Sequence, residues 1–385
     1  MFKQNKTKQK SVLHIGPDYH NSFILRDKLR ELGWKSDITC SALANKKLLY
    51  KDDVIFFDTF GNTNILKKIL NKIERAYFLL FVFPKYKNHI YYGSVLTFTE
   101  TYLDKFINFF RREEISIYLH LCKYLNINII VTHGGCHDFD LQETFMLYDE
   151  GAVCNNCAWK GWACDDKVNN KKFYFLKKYN GKLIGEGVES SIIKLNHMKY
   201  KCIDLNLWDQ KIEIPKEHIL PKSNKLRILH SYFDGQRGEH RKNIKGSYFV
   251  KKAVEKLINE GFEIEYFYLK DKKSSDMRYY QAQADIVVEQ LIYGWWGSTG
   301  VETMSLGLPV VCYLRKSWKE EFLKNFPEYD SLPIIESTTL SIYHTLKELI
   351  LNPELRKKKG IESRRFAENH FDVNKNALDY ISLFK

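Results

Sequence analysis

Short apolar segments of strand length alternate with amphipathic segments of helix length, and this rhythm runs through the chain twice. In the first half, "SVLHIG" (11–16) precedes a helical segment at about 21–32, which places Phe23, Ile24, Leu25, Leu29 and Leu32 on or near one face, with Gly33 as its stop. The strand "DVIFFD", a helix near 62–73, a strand "AYFLLFVF" (76–83), a long helix near 104–125 and the strand "INIIVT" (127–132) continue the series. Strands separated by helices pair in parallel through right-handed crossovers.

The rhythm restarts at "LRILHSYF" (226–233), after the linker "EIPKEHILPKSNK". A helix near 247–260 carries the apolar stripe Phe249, Val250, Ala253, Val254, Leu257 and Ile258 and ends at Gly261. The segments "EIEYFYL", "DIVVEQ", "PVVCYL" and "LPIIE" are short and apolar enough for buried parallel strands. A length of 385 residues leaves room for about two domains. The expected fold is therefore α/β with two facing, doubly wound, Rossmann-like domains, at 1–210 and 224–385, and the last helix packs back on the first domain. Ligands of such sheets bind beyond the carboxyl ends of the strands, so facing domains create a cleft.

Composition narrows the partners. The longest apolar runs fall far short of the roughly 20 residues of a membrane-spanning helix, and "MFKQNKTKQK" leads into a strand rather than a signal-peptide core. A cytoplasmic protein, peripheral at most to the inner membrane face, is expected. A formal net charge of +13 favours anionic partners, namely phosphorylated ligands, nucleic acid or an acidic membrane surface. A lysine-rich solubilising surface accounts for the same charge.

One stretch concentrates the chemistry. "YGWWGSTGVETMSLGLPVVCYL" (293–314) holds four of the chain's 20 glycines, at 294, 297, 300 and 307, around Glu302. A glycine loop followed by a helix start offers free N–H groups to phosphate, which assigns Gly297, Ser298, Thr299 and Gly300 to a phosphorylated ligand. Glu302, one turn inside that helix, is placed for paired ribose hydroxyls. A plain βαβ corner, with Gly307 ending the helix and Glu302 solvated, fits the same letters.

Cysteine supplies a second pattern. "CNNCAWKGWAC" contributes Cys154, Cys157 and Cys164, and Cys136 lies 18 residues before the first of them. Together they suit a tetrahedral structural zinc pinning residues 136–165, although the spacing is not that of a standard finger and ordinary reduced thiols remain the alternative.

Taken together, "HRKNIKGSYFVKKAVEKL", "ADIVVEQLIYGWWGSTGVETMSLGLPVV" and "NIIVTHGGCHDFD" resemble the retaining, nucleotide-sugar-dependent glycosyltransferases with two Rossmann-like domains, the GT-B fold, of the group 1 type that builds bacterial surface polysaccharides. The resemblance covers most of residues 125–385. It implies a UDP- or GDP-linked sugar donor, a saccharide or lipid-linked saccharide acceptor in polysaccharide biosynthesis, and no catalytic metal. It assigns Arg241 and Lys245 to the donor diphosphate, Glu302 to ribose, and His133 to the transferred sugar, with Asp138 orienting its loop or binding acceptor. Many relatives carry two glutamates eight positions apart. Here the first position is Gly294, so the job of that carboxylate falls to other groups. By the same resemblance, "FPKYKNHIYY" (83–92) is expected to touch the inner membrane surface, against a reading of the stretch as a buried strand end.

Three other functions compete with this one. A basic zinc-containing nucleic-acid-binding protein accounts for charge and cysteines but leaves the glycine–glutamate loop without a purpose, and no nucleic-acid partner is expected. An NAD-dependent dehydrogenase lacks G-x-G-x-x-G after the first strand. A sugar-nucleotide epimerase on the same fold stays open.

Overall fold

The structure, a computed structural model, describes residues 10–16, 20–40, 54–56, 73, 76–92, 108, 115–132, 166–186, 195–232, 244–270 and 272–385. Seven strands, β1 (Ser11–Ile15), β2 (Lys35–Cys40), β3 (Val54–Phe56), β4 (Asn88–Tyr92), β5 (Asn128–Thr132), β6 (Lys182–Gly185) and β7 (Leu195–His197), form one sheet ordered β3-β2-β1-β4-β5-β6-β7. Five more, β8 (Leu226–Tyr232), β9 (Ile264–Lys270), β10 (Ile286–Val288), β11 (Val310–Cys312) and β12 (Ile335–Glu336), form a second sheet ordered β12-β11-β10-β8-β9. Every pairing in both sheets is parallel. The protein is α/β with two Rossmann-like domains, as the strand–helix rhythm requires. Strand order reverses between β1 and β4 in the first sheet and between β8 and β10 in the second, and such points open a crevice at the carboxyl ends.

One sequence expectation needs correction. "AYFLLFVF" is not a strand: residues 76–82 are helical and Phe83–Lys85 form a 3₁₀ turn. Tyr77, Leu80 and Phe81 are exposed while Phe78 and Phe83 are buried, a helical spacing hidden in a run that is apolar at every position. The strand is instead "NHIYY", which pairs between β1 and β5. Within residues 83–92, Phe83, Tyr86, Ile90, Tyr91 and Tyr92 are core residues, as a buried strand end requires, and Lys85 and Lys87 stand outside.

Strand β2 escapes an apolar-run reading because its polar side chains are satisfied by neighbours. Asp37 accepts a 2.6 Å bond from Arg30 of α1 (Asn21–Glu31) and one from Tyr86, and the Ser36 hydroxyl lies 2.9 Å from Nε2 of His14 on β1. Buried polar groups with partners cost little, so a mixed-polarity strand survives inside the sheet.

The chain crosses between the sheets twice. Residues 198–225 run from β7 to β8, and along the way Ile203 bridges to the turn at 371–373 through the bonds Ile203 N–H to Phe371 C=O (2.8 Å) and Val373 N–H to Ile203 C=O (3.2 Å). That turn ends α2 (Pro353–His370) and starts the final helix, α3 (Val373–Leu383). Helix α3 lies on the first sheet's side, with Val373, Ala377 and Tyr380 in one core with Val12, Ile24, Leu25 and Leu29. Its last turn is held by Asn128 Nδ2 and Lys182 Nζ, which donate to the Leu383 carbonyl at 2.9 and 2.7 Å.

Candidate functional site

The second sheet's reversal point gathers two loops. One follows β8 and leads into α4 (Ser247–Asn259), the other follows β10 and leads into α5 (Ser298–Ser305). They are tied by backbone, since Leu291 N–H donates to the Lys245 carbonyl at 3.2 Å. His230 on β8 completes the brace, its Nδ1 2.8 Å from the Val288 carbonyl and its Nε2 2.8 Å from the Ser247 hydroxyl. Burial lowers the His230 pKa to about 4, so this brace is a neutral imidazole.

At the centre sits a residue that no sequence motif marks. Glu289, the first residue after β10, is fully buried. Its Oε1 accepts the Gly297 N–H at 2.7 Å and lies 3.5 Å from Nζ of Lys245. Its Oε2 is buried with no hydrogen-bond partner among the described residues. This carboxylate explains the glycines on either side of it in space. A Cβ at Gly300 would stand 2.1 Å from Oε2, and one at Gly297 would stand 2.9 Å from Oε1. The glycine loop therefore closes around an internal anion, and the Gly297 N–H is already engaged. Gly297, Ser298 and Thr299 are half-buried where Gly300 is buried, so the start of α5 reaches solvent at these three residues. Gly300→Ala is expected to push Glu289 off Gly297 and destabilise the protein by roughly 1–3 kcal/mol, measured as a lower midpoint in urea unfolding.

Gly294 has its own reason. Its φ is +94°, and a Cβ there would stand 2.3 Å from Cγ of Arg315. Arg315 is buried, donates from Nε to the Tyr293 carbonyl at 2.9 Å and lies over Trp318 with 4.9 Å from guanidinium carbon to ring centroid. No side chain fits at 294 without moving that arginine, and the positive φ disfavours any residue but glycine there. The intervening Trp295 and Trp296 stack at 4.1 Å and belong to a core with Phe322, Phe366 and Phe371, which anchors the loop.

Glu302 is buried, not solvated, with 6% of its surface exposed. Gln281 Nε2 donates to its Oε2 at 2.9 Å, and Nδ1 of His20, from the start of α1 in the first domain, lies 3.6 Å from its Oε1. His20 in turn packs on Trp208, 5.4 Å between ring centroids. Burial raises the Glu302 pKa to about 8 and lowers that of His20 to about 4. Both shifts favour the uncharged forms, so at neutral pH two neutral groups face each other across the domains rather than an ion pair.

Lys245, Gly297, Ser298, Thr299, Gly300 and Glu302 thus lie in or beside one pair of loops. His133, Arg241, Asp138, Cys136, Cys154, Cys157 and Cys164 lie outside the described residues. Among the described residues no cluster of three or more His, Cys, Asp or Glu is arranged to hold a metal ion.

Two parallel Rossmann-like sheets, with the reversal point of the second lined by a glycine loop and a helix start, define the GT-B class of fold. No family model and no curated protein matches the chain. Solved structures do. A glycosyltransferase from Rickettsia africae ESF-5 aligns at a TM-score of 0.55 and 13% identity over 98% of both chains. The catalytic domain of starch synthase IV from Arabidopsis thaliana, bound to ADP and acarbose, aligns at 0.56 and 10% identity over 98% of this chain and 99% of that one. A Listeria monocytogenes protein described as a UDP-N-acetylglucosamine 2-epimerase aligns at 0.51 and 11% identity over 97% of this chain and 95% of that one. These likenesses are likenesses of fold.

Proposed function

We propose that this protein is a glycosyltransferase that moves a sugar from a nucleoside diphosphate sugar, UDP- or GDP-linked, to a saccharide or lipid-linked saccharide acceptor, with retention, in surface polysaccharide synthesis. The observation that carries the reading is the convergence of Lys245, the solvent-facing start of α5 and Glu302 at the reversal point of one sheet. A cation and free N–H groups suit a diphosphate, and a carboxyl group one turn further along suits a ribose diol. The starch synthase structure with ADP and acarbose supports this donor and acceptor class.

In this reading residues 224–385 hold the donor and residues 1–210 the acceptor. Ser298 and Thr299 face the diphosphate, joined by Lys245 and Arg241, and Gly297 and Gly300 shape the loop that presents them. The ribose enters where His20 now meets Glu302, and His133 and Asp138 approach from the first domain. The departing diphosphate takes the acceptor proton on the same face, so no dedicated carboxylate base is used.

The fold likeness to the Listeria protein favours one second reading, a sugar-nucleotide epimerase. Incubation with UDP- and GDP-sugars plus oligosaccharide acceptors separates the two. Released nucleoside diphosphate with an extended acceptor supports transfer, epimerised donor supports the second reading, and unchanged donor in every mixture removes both.

Two finer proposals accompany it. Cys136, Cys154, Cys157 and Cys164 hold a structural zinc, which metal analysis of the purified protein tests; a metal-free, fully stable protein removes it. The acceptor side docks on an acidic membrane surface. Among the described residues no helix is long and apolar enough to cross a membrane. However, Ile73, Tyr77, Leu80 and Phe81, spaced i, i+4, i+7 and i+8, are each more than half exposed beside Lys85 and Lys87. Failure to float with vesicles of anionic lipid removes that proposal.

A further inference from the structure

We propose that Glu289 is a positioning residue of the donor site, acting through Lys245, and that it replaces by a different route the carboxylate for which Gly294 leaves no room. The inference rests on the donor-site reading above and deepens it.

Three observations meet at this side chain. It is fully buried, yet among the described residues one carboxylate oxygen has no hydrogen-bond partner, a costly arrangement for a structural residue. Its other oxygen holds the loop and the proposed diphosphate cradle together, accepting the Gly297 N–H at 2.7 Å and lying 3.5 Å from the Lys245 ammonium. The loop around it is built to admit it, since Gly297 and Gly300 leave no space for any Cβ beside its oxygens.

A lysine on four rotatable bonds is a poor fixed point for a diphosphate, because ordering it costs rotamer entropy at the moment of binding. An ion pair formed in advance removes much of that cost. The Lys245 backbone is already fixed by Leu291 N–H, and Glu289 fixes the far end of the side chain, which keeps 17% of its surface exposed towards solvent. Glu289 itself, with no exposed surface, does not reach the ligand. Its carboxylate therefore acts on the donor only through the groups that it holds.

The test is a double-mutant cycle on binding of UDP and of GDP by isothermal titration calorimetry. Glu289→Gln keeps the volume and the acceptor for Gly297 N–H and removes the charge beside Lys245. It is expected to weaken the better-bound nucleotide roughly tenfold. Lys245→Ala should weaken it at least as much, and adding Glu289→Gln to Lys245→Ala should change nothing further, because the carboxylate then has no lysine to hold. Glu289→Asp, which retains the charge, should bind better than Glu289→Gln at equal or lower thermal stability. Additive losses, or a Glu289→Gln protein with wild-type affinity, overturn the positioning role. If Glu289→Gln does not fold, the Glu289→Asp and Lys245→Ala pair carries the same cycle, with additivity again the overturning result. Wild-type protein that binds neither nucleotide overturns the donor-site reading itself, an outcome distinct from failure of the Glu289 role.

Discussion

Replacing Lys245 with alanine is expected to lower kcat for sugar transfer by roughly 10²–10³, the loss that follows removal of one preorganised group stabilising developing negative charge. As the glycosidic bond breaks, charge gathers on the diphosphate, and a group bonded more strongly to that charged state lowers the barrier rather than only tightening binding. The proposed reading gives this role to Lys245. It follows β8 at the sheet's reversal point, its carbonyl is tied to Leu291, and its ammonium lies against a buried carboxylate. Removing Arg241 should cost a similar factor, and Asp138→Asn far less, since orientation and not proton transfer is assigned to it. Steady-state kinetics with thermal melting as the folding control decides. A well-folded Lys245→Ala enzyme with near wild-type kcat would refute charge stabilisation by this residue. Nuclear magnetic resonance of the first-formed product reads the stereochemistry, and an inverted linkage combined with an inactive Asp138→Asn enzyme would move the base into the first domain.

Glu302→Gln is expected to do two opposite things, raising the stability of the free protein in alkaline solution and weakening donor binding. A carboxyl group whose pKa rises from 4.5 to about 8 on folding binds its proton more tightly in the folded state. The stability this contributes is complete below pH 4.5 and is lost progressively as pH rises towards 8. A tenfold change in proton affinity is worth about 1.4 kcal/mol, so the difference between acid and alkaline conditions is on the order of 5 kcal/mol. Glutamine keeps an acceptor for Gln281 and carries no such proton. Melting curves of wild type and variant should therefore diverge from pH 5 upwards, the variant being the more stable above pH 8, and parallel curves would refute the burial argument. Donor affinity at neutral pH should fall by roughly 0.5–1.5 kcal/mol, the worth of a hydrogen bond to an uncharged group. Alanine is the poorer probe, because a side chain with 6% exposure leaves a cavity when truncated.

Segments such as "PVVCYL" and "LRILHSYF" are legible as strands because burial on both faces of a parallel sheet demands continuous apolar runs. "AYFLLFVF" misleads for the same reason. A run apolar at every position carries no period, and only the packing of Phe78 and Phe83 with Tyr77, Leu80 and Phe81 left outside reveals the helix. The glycine spacing around residues 294–307 announces a close backbone approach, but the sequence does not say to what. Glu289, eight residues before Gly297, reads as one more polar letter at a strand end.

The local periodicities of the chain by themselves determined the α/β class, the two sheets and the glycine loop at the site, because strand burial, helix amphipathicity and glycine conformation are properties of neighbours in sequence. Only the tertiary structure decided what occupies the glycine loop, why position 294 admits no side chain and that Glu302 faces His20. Each of these depends on atoms brought together from distant strands. Glu289 meets Lys245 across β10 and β8, Arg315 closes over Gly294 from beyond β11, and His20 reaches Glu302 from the other domain. The energy of a buried charge is set by which groups surround it in space, a quantity that no sequence window contains.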